Sequence, residues 1–225
     1  MIPVPRRDEP PDFDRDVRQP GREWIAAQTS PIHNLPSYWR ACEPDLHDAF
    51  GGRCGWAAFS ITSGQVDHFE LGQAACIAAG TPEQAYEWSN YRYIMPELNC
   101  RKGRRPAMLD PHVVQPGWFE LELPHLHLRM TERVPSEWRE LALRTLSPEG
   151  LDLARGAKLM RVRRRYLQQY RDGKTRIELL DDDMPLLATA LRELFASEAT
   201  ALSAEQRGFR DELAAARVAV GMPVP

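Results

Sequence analysis

The chain has 225 residues, 43% of them hydrophobic and 27% charged, with a formal net charge of −3. This is the composition of a folded protein with one sizeable core and room for a smaller helical lobe; it excludes a globally basic nucleic-acid binder, so any basic surface has to be local. No apolar run approaches the roughly 20 residues of a membrane span, and the first twenty residues lack the apolar stretch of a secretory signal, so the expectation is a cytoplasmic protein with no membrane association.

Residues 1–23 read as an extended N-terminal arm, either disordered or laid over the surface. Pro3, Pro5, Pro10, Pro11 and Pro20 break a continuous helix, and the mixed charges oppose a core. Helical pieces are expected over 24–50, with a break at Pro31 and Pro36 and a stop at Gly51-Gly52. Residues 56–62 (WAAFSIT) read as a strand, Ser63-Gly64 as a turn and Gln65 to Phe69 as the return strand of a hairpin. The Gly/Ala-rich stretch 70–83 reads as a loop. Residues 84–103 carry helix formers interrupted before Pro96, which fits the first turn of a short helix ending near Gly103.

Period-two alternation then predicts strands at 119–123 and 126–129, flanking Pro124 and following a turn at Gln115-Pro116-Gly117. Beyond residue 135 the pattern is helical. Ser136 is a candidate N-cap, and helices are expected over 149–172, 175–199 and 203–220. The predicted organisation is therefore an N-terminal arm (1–23), a mixed α/β domain (24–134) and a helical C-terminal lobe (135–225). Cys42, Cys54, Cys76 and Cys100 form no Cys-x-x-Cys pair and read as reduced thiols rather than a disulfide framework or a four-thiolate zinc site.

The stretch most informative about chemistry is 65–103. It holds Asp67-His68 at the end of a strand, Asn90 after 22 residues, and Asn99-x-x-Lys102-Gly103 nine residues later. Taken alone, His68 reads as a core histidine bonded to backbone, and Asn99 as a plain helix residue. Asp110 before Pro111 reads as a turn residue, and His125 and His127 as an exposed polar strand face. Taken in order, the Asp-His pair, central Asn and Asn-x-x-Lys-Gly ending resemble the HNH endonuclease family. The blocks RCGWAAF (53–59), VDHF (66–69), AYEWSNYR (85–92), LNCRKG (98–103) and LDPHVVQPGWFEL (109–121) are similar to a bacterial subgroup of it that includes defence-associated proteins.

The resemblance implies an α+β fold with a ββα-metal core, here joined to the helical C-terminal lobe. It implies catalytic roles for His68, which activates water, and Asn90, which pins the loop and orients His68. Asp67 and Asn99 are the implied ligands of Mg²⁺ or Mn²⁺. The implied reaction is hydrolysis of a phosphodiester in DNA, leaving a nick with 5′-phosphate and 3′-hydroxyl ends. Similar nucleases serve bacterial anti-phage defence, often beside an ATPase that controls them. The residue types suit the chemistry: a neutral imidazole takes a proton from water, and a hard cation on oxygen ligands stabilises charge on phosphorus. Many relatives brace the motif with zinc on two Cys pairs. Gly55-Trp56-Ala57 follows Cys54 here, so no structural zinc is expected, and packing of Trp56, Phe59 and Trp88 stands in its place.

Two basic clusters complete the reading. Arg101, Lys102, Arg104 and Arg105 adjoin the motif. Between 155 and 176 nine cationic side chains face a single acid, Asp172, while Leu159, Val162, Tyr166 and Tyr170 form an apolar stripe. Arg161, Arg164 and Arg165 are the candidate nucleic-acid contacts of this helix, for DNA or RNA. The rival readings are a non-catalytic nucleic-acid-binding module and a partner-docking module on the same fold.

Overall fold

In the computed structural model, which describes residues 1–103 and 107–224, helices dominate and the four strands form two separate antiparallel pairs. The chain is thus a mixture of helix and small antiparallel sheets. It divides into two units, Val4–Gly55 with Ile61–Pro106, and Met1–Pro3 with Trp56–Ser60 and Ala107–Pro225. Among the described residues, no helix is long and apolar enough to cross a membrane.

The first unit carries the motif. A π-helical turn, Asp14–Arg18, runs into α1 (Gln19–Ala26), and a 3-10 turn, Tyr38–Cys42, runs into α2 (Glu43–Ala49). Strand β1 (Gln65–His68), α3 (Gln73–Ala78), β2 (Tyr91–Ile94) and α4 (Pro96–Lys102) follow. β1 and β2 pair antiparallel, with Val66 opposite Tyr93, Asp67 opposite Arg92 and His68 opposite Tyr91. Phe13, Val17, Trp39, Leu46, Phe50, Val66, Tyr86, Tyr91 and Tyr93 belong to one buried cluster.

Four expectations are corrected here. Residues 14–23 are helical rather than extended: Phe13 and Val17, four apart, both bury on the core, and α1, with Pro20 near its start, follows directly on the π-helical turn Asp14–Arg18. Gly21 packs so closely on Tyr86 that an added Cβ would lie 2.3 Å from its ring. β1 pairs with β2 and not with 56–62. That stretch is not a strand, because Ala58 has φ +57° and residues 56–60 are drawn into the other unit. Tyr91–Ile94 is a strand rather than helix, its aromatic and branched side chains filling positions buried on both faces. Residues 73–78 form a helix where a loop is expected, anchored by the fully buried Cys76. Pro96 and Gly103 bound α4 as predicted, and Gly103 takes φ +44° just past its last turn.

The second unit holds β3 (Phe119–Glu122), β4 (His127–Met130), α5 (Ser136–Leu146), α6 (Ala157–Arg171), α7 (Ile177–Asp183), α8 (Pro185–Ala196) and α9 (Ala204–Ala219). Phe119 and Leu121 bury on alternate positions of β3, against which α8 packs, while α5 packs on β4. The second hairpin therefore belongs with the C-terminal helices, and the division falls near residue 106 rather than 134. Trp56 Nε1 donates to Leu109 O at 2.9 Å, and Phe59 is buried; both residues belong to this second unit, whereas Trp88 belongs to the first.

The basic helix begins at 157, not 149, after a run of turns in which Asp152 has φ +56°. Leu159 and Tyr170 of its apolar stripe are buried, and Val162 and Tyr166 half-buried. Arg163 points inward as a clip, donating to Leu153 O at 2.8 Å and to Leu126 O and Ala154 O at 3.2 Å; burial pulls its pKa down to about 10. α9 opens with a capping box, Ser203 with Gln206.

Candidate functional site

Strand alternation decides the site's layout. Gln65 and Asp67, two apart on β1, project towards α4; His68 projects to the opposite side. On α4, Asn99 and Lys102 are three apart and so share a face. The two spacings match: Asn99 Nδ2 donates to Gln65 Oε1 at 2.9 Å, and Lys102 Nζ donates to both carboxylate oxygens of Asp67 at 2.8 Å.

Asp67 is 5% exposed and lies opposite Arg92 across the sheet. Burial raises its pKa, and the Lys102 ammonium and Arg92 oppose that shift. The Arg92 guanidinium donates to Ser89 O at 2.7 Å and Tyr91 O at 2.8 Å and lies over the Phe69 ring.

His68 ends β1 inside an aromatic cage. Trp39 stands edge-on at 4.6 Å and Tyr91 at 5.3 Å between ring centroids. Nε2 lies 3.0 Å from Ala85 O, an obligate acceptor, so Nε2 carries the proton and Nδ1 keeps its lone pair. Among the described residues, nothing donates to Nδ1. Burial pushes the His68 pKa down to about 4, so the ring is neutral at pH 7.

Asn90, 4% exposed, organises the loop that follows. Its Oδ1 accepts from Glu70 N at 2.7 Å and Leu71 N at 3.2 Å, while Nδ2 donates to Leu71 O at 3.0 Å and Gln84 O at 3.2 Å. It thereby holds the chain on both sides of His68: residues 70–71 beyond it, and residue 84 next to the carbonyl that fixes its tautomer. Tyr91 donates its hydroxyl to that same Ala85 O at 2.8 Å.

Some contributors escape a reading of the motif alone. Gln65 and the cage residues Trp39 and Tyr91 are examples; strand periodicity from Asp67 would have flagged Gln65, and nothing local flags Trp39. The N-terminal segment is another. Phe13 packs edge-on against Trp88 and Tyr91, Trp88 Nε1 donates to Arg7 O at 2.9 Å, and Arg18 pairs with Glu87 at 3.0 Å as well as with Asp14 and Glu9. Residues 4–26 thus back the segment that presents Asn90.

Arg101 lies half-buried in the last turn of α4, and Arg104 and Arg105 lie outside the described residues. Arg161, Arg164 and Arg165 are exposed on α6, in the second unit. Asp110 accepts from His112 N at 3.0 Å as a turn residue, and the His125 and His127 rings stack, beside Glu205 and Glu122 respectively.

A carboxylate and a carboxamide offer the hard oxygen donors that Mg²⁺ or Mn²⁺ takes, with water and phosphate oxygens completing the shell. Asp67 and Asn99 fit that chemistry, although Lys102 holds both Asp67 oxygens. Among the described residues, no group of three or more His, Cys, Asp or Glu side chains is arranged to hold a metal ion. Cys54 Sγ accepts from Met95 N at 3.4 Å. No family model, no curated protein and no solved structure matches this chain.

Proposed function

We propose that this protein is a metal-dependent endonuclease of the HNH type, nicking DNA in the cytoplasm as an effector of anti-phage defence under the control of a partner such as an ATPase. The observation that carries this reading is the β1–β2–α4 unit. An antiparallel pair runs into a short helix, Asp67-His68 end the first strand, Asn90 clamps the loop beyond, and Asn99 sits on the helix facing β1.

In this reading the scissile phosphate lies at the end of β1, beside the loop that Asn90 holds. His68 Nδ1 accepts a proton from the attacking water, its tautomer set by Ala85 O. Asn90 is a positioning residue. Asp67 and Asn99 hold Mg²⁺ or Mn²⁺, which when bound supplies positive charge to the phosphate oxygens. Lys102 and Arg101, with Arg104 and Arg105, steer the substrate backbone, and Arg161, Arg164 and Arg165 contact nucleic acid from α6.

A second reading is a non-catalytic nucleic-acid-binding module. The aromatic cage around His68, its projection away from Asp67, and the Lys102 ammonium on Asp67 favour it. Cleavage of supercoiled plasmid separates the two, assayed with Mg²⁺ or Mn²⁺, with EDTA, and with His68→Ala. Metal-dependent nicking that the mutant lacks is the expected result. DNA binding that survives the mutation, without metal-dependent cleavage by either protein or in the presence of a co-purified partner, would establish the module instead.

A further inference from the structure

Lys102 lies in a seat shaped for a cation. Its ammonium is 2.8 Å from each oxygen of Asp67 and 3.5 Å from His68 O, and it stands 5.4 Å over the Phe69 ring. The side chains of Lys102 and Asp67 are only 12% and 6% exposed. A carboxylate and a main-chain carbonyl are also donors of the kind a hard divalent ion takes. A second cation on those same carboxylate oxygens would repel the first strongly at contact distance in a poorly solvated site.

Which cation could leave is decided by side-chain chemistry. Arg92 is anchored to two main-chain carbonyls. Lys102 occupies the last residue of α4, on a flexible four-carbon stem. The residue type is informative too. Of the chain's 29 Lys and Arg residues, only positions 102, 158 and 174 are Lys. An Arg at 102 would clamp the carboxylate through a planar two-toothed fork; a Lys holds it as a compact point charge that another cation can replace.

We propose that Lys102 is the resident cation of Asp67, that a divalent ion binds Asp67 only by displacing it, and that the displaced ammonium becomes available to a substrate phosphate. This rests on the reading of Asp67 as a metal ligand. The site would then carry one exchangeable cation in either state, and its buried carboxylate would never stand without a counter-charge.

The test is metal binding rather than cleavage. Mn²⁺ affinity is measured by electron paramagnetic resonance for the unaltered protein, Lys102→Met and Asp67→Asn. The expected result is Mn²⁺ binding about tenfold or more tighter in Lys102→Met, since two charge-assisted hydrogen bonds no longer compete, and loss of that binding in Asp67→Asn. A second measurement does not depend on the Met variant folding. With only three lysines, ¹³Cε-lysine NMR of the unaltered protein resolves Lys102 once Lys158→Arg and Lys174→Arg identify the other two signals. During Mg²⁺ titration the Lys102 signal should move to the position of a solvated lysine in step with saturation. Asp67-dependent metal binding of equal affinity in both proteins, with the Lys102 signal unmoved, would overturn the exchange and leave the nuclease reading standing. No Asp67-dependent binding in either would overturn both.

Discussion

His68 offers the sharpest physical prediction, because burial lowers its pKa and the bond to Ala85 O opposes that shift only in part. Its pKa falls from 6.5 to about 4 on folding, chiefly because the cage of Trp39 and Tyr91 disfavours the imidazolium. A depressed histidine pKa means that the unfolded chain binds the extra proton between those two values. The contribution of His68 is therefore complete above pH 6.5 and is lost as pH falls towards 4. Between pH 7 and pH 5 the loss works out to about 2 kcal/mol, and across the whole window to about 3 kcal/mol. Asp67, raised by burial, contributes with the opposite sign, so the comparison is made against His68→Gln. Urea unfolding of both proteins at pH 7 and pH 5 should show the unaltered protein losing about 2 kcal/mol more than the variant. Ring ¹⁵N NMR should show the Nε2-protonated tautomer persisting to below pH 5. An identical pH dependence in both proteins, or a ring titrating near 6.5, would refute the argument.

Four further outcomes follow from other residues of the structure. Asn90→Ala removes four partly buried hydrogen bonds and should cost about 3 kcal/mol in denaturant unfolding; Asn90→Asp should also destabilise the protein, since a carboxylate cannot donate to Leu71 O or Gln84 O. Phe13→Ala should cost about 3–5 kcal/mol and increase hydrogen exchange at residues 88–91, whereas an arm merely resting on the surface would change neither. On the proposed function, replacing Arg161, Arg164 and Arg165 together by Gln should weaken DNA binding and reduce the log–log salt slope by about 2–3, as measured by fluorescence anisotropy. Arg163→Met should instead lower stability by about 3 kcal/mol, stranding three carbonyls while leaving affinity unchanged.

Much of this protein was legible one segment at a time. The alternation of Phe119, Leu121 and Leu128 marked the second hairpin, Pro96 and Gly103 bounded α4, and the stripe from Leu159 to Tyr170 marked α6, because each pattern is a local consequence of backbone geometry. Asp67, His68, Asn90 and Asn99 were singled out by the resemblance of their order and type to the HNH motif. The role of Asn90 as the loop's anchor is compatible with its four hydrogen bonds.

Pairing and side-chain partners were not legible, since they depend on residues far apart in the chain. β1 had to choose between residues 56–62 next to it and Tyr91–Ile94 beyond, and local pattern alone does not separate those choices. Arg163 reads as one more surface charge until its guanidinium is found on three main-chain carbonyls. Residues 1–23 read as an arm until Phe13 and Val17 meet the core. Helix and strand periods, and the residue types available for chemistry, follow from the order of residues along the chain. The tertiary structure decided which face each would meet: Asp67 turned to Lys102 and His68 to the aromatic cage, because neighbouring strand residues point opposite ways and burial rewards only the partner that is there.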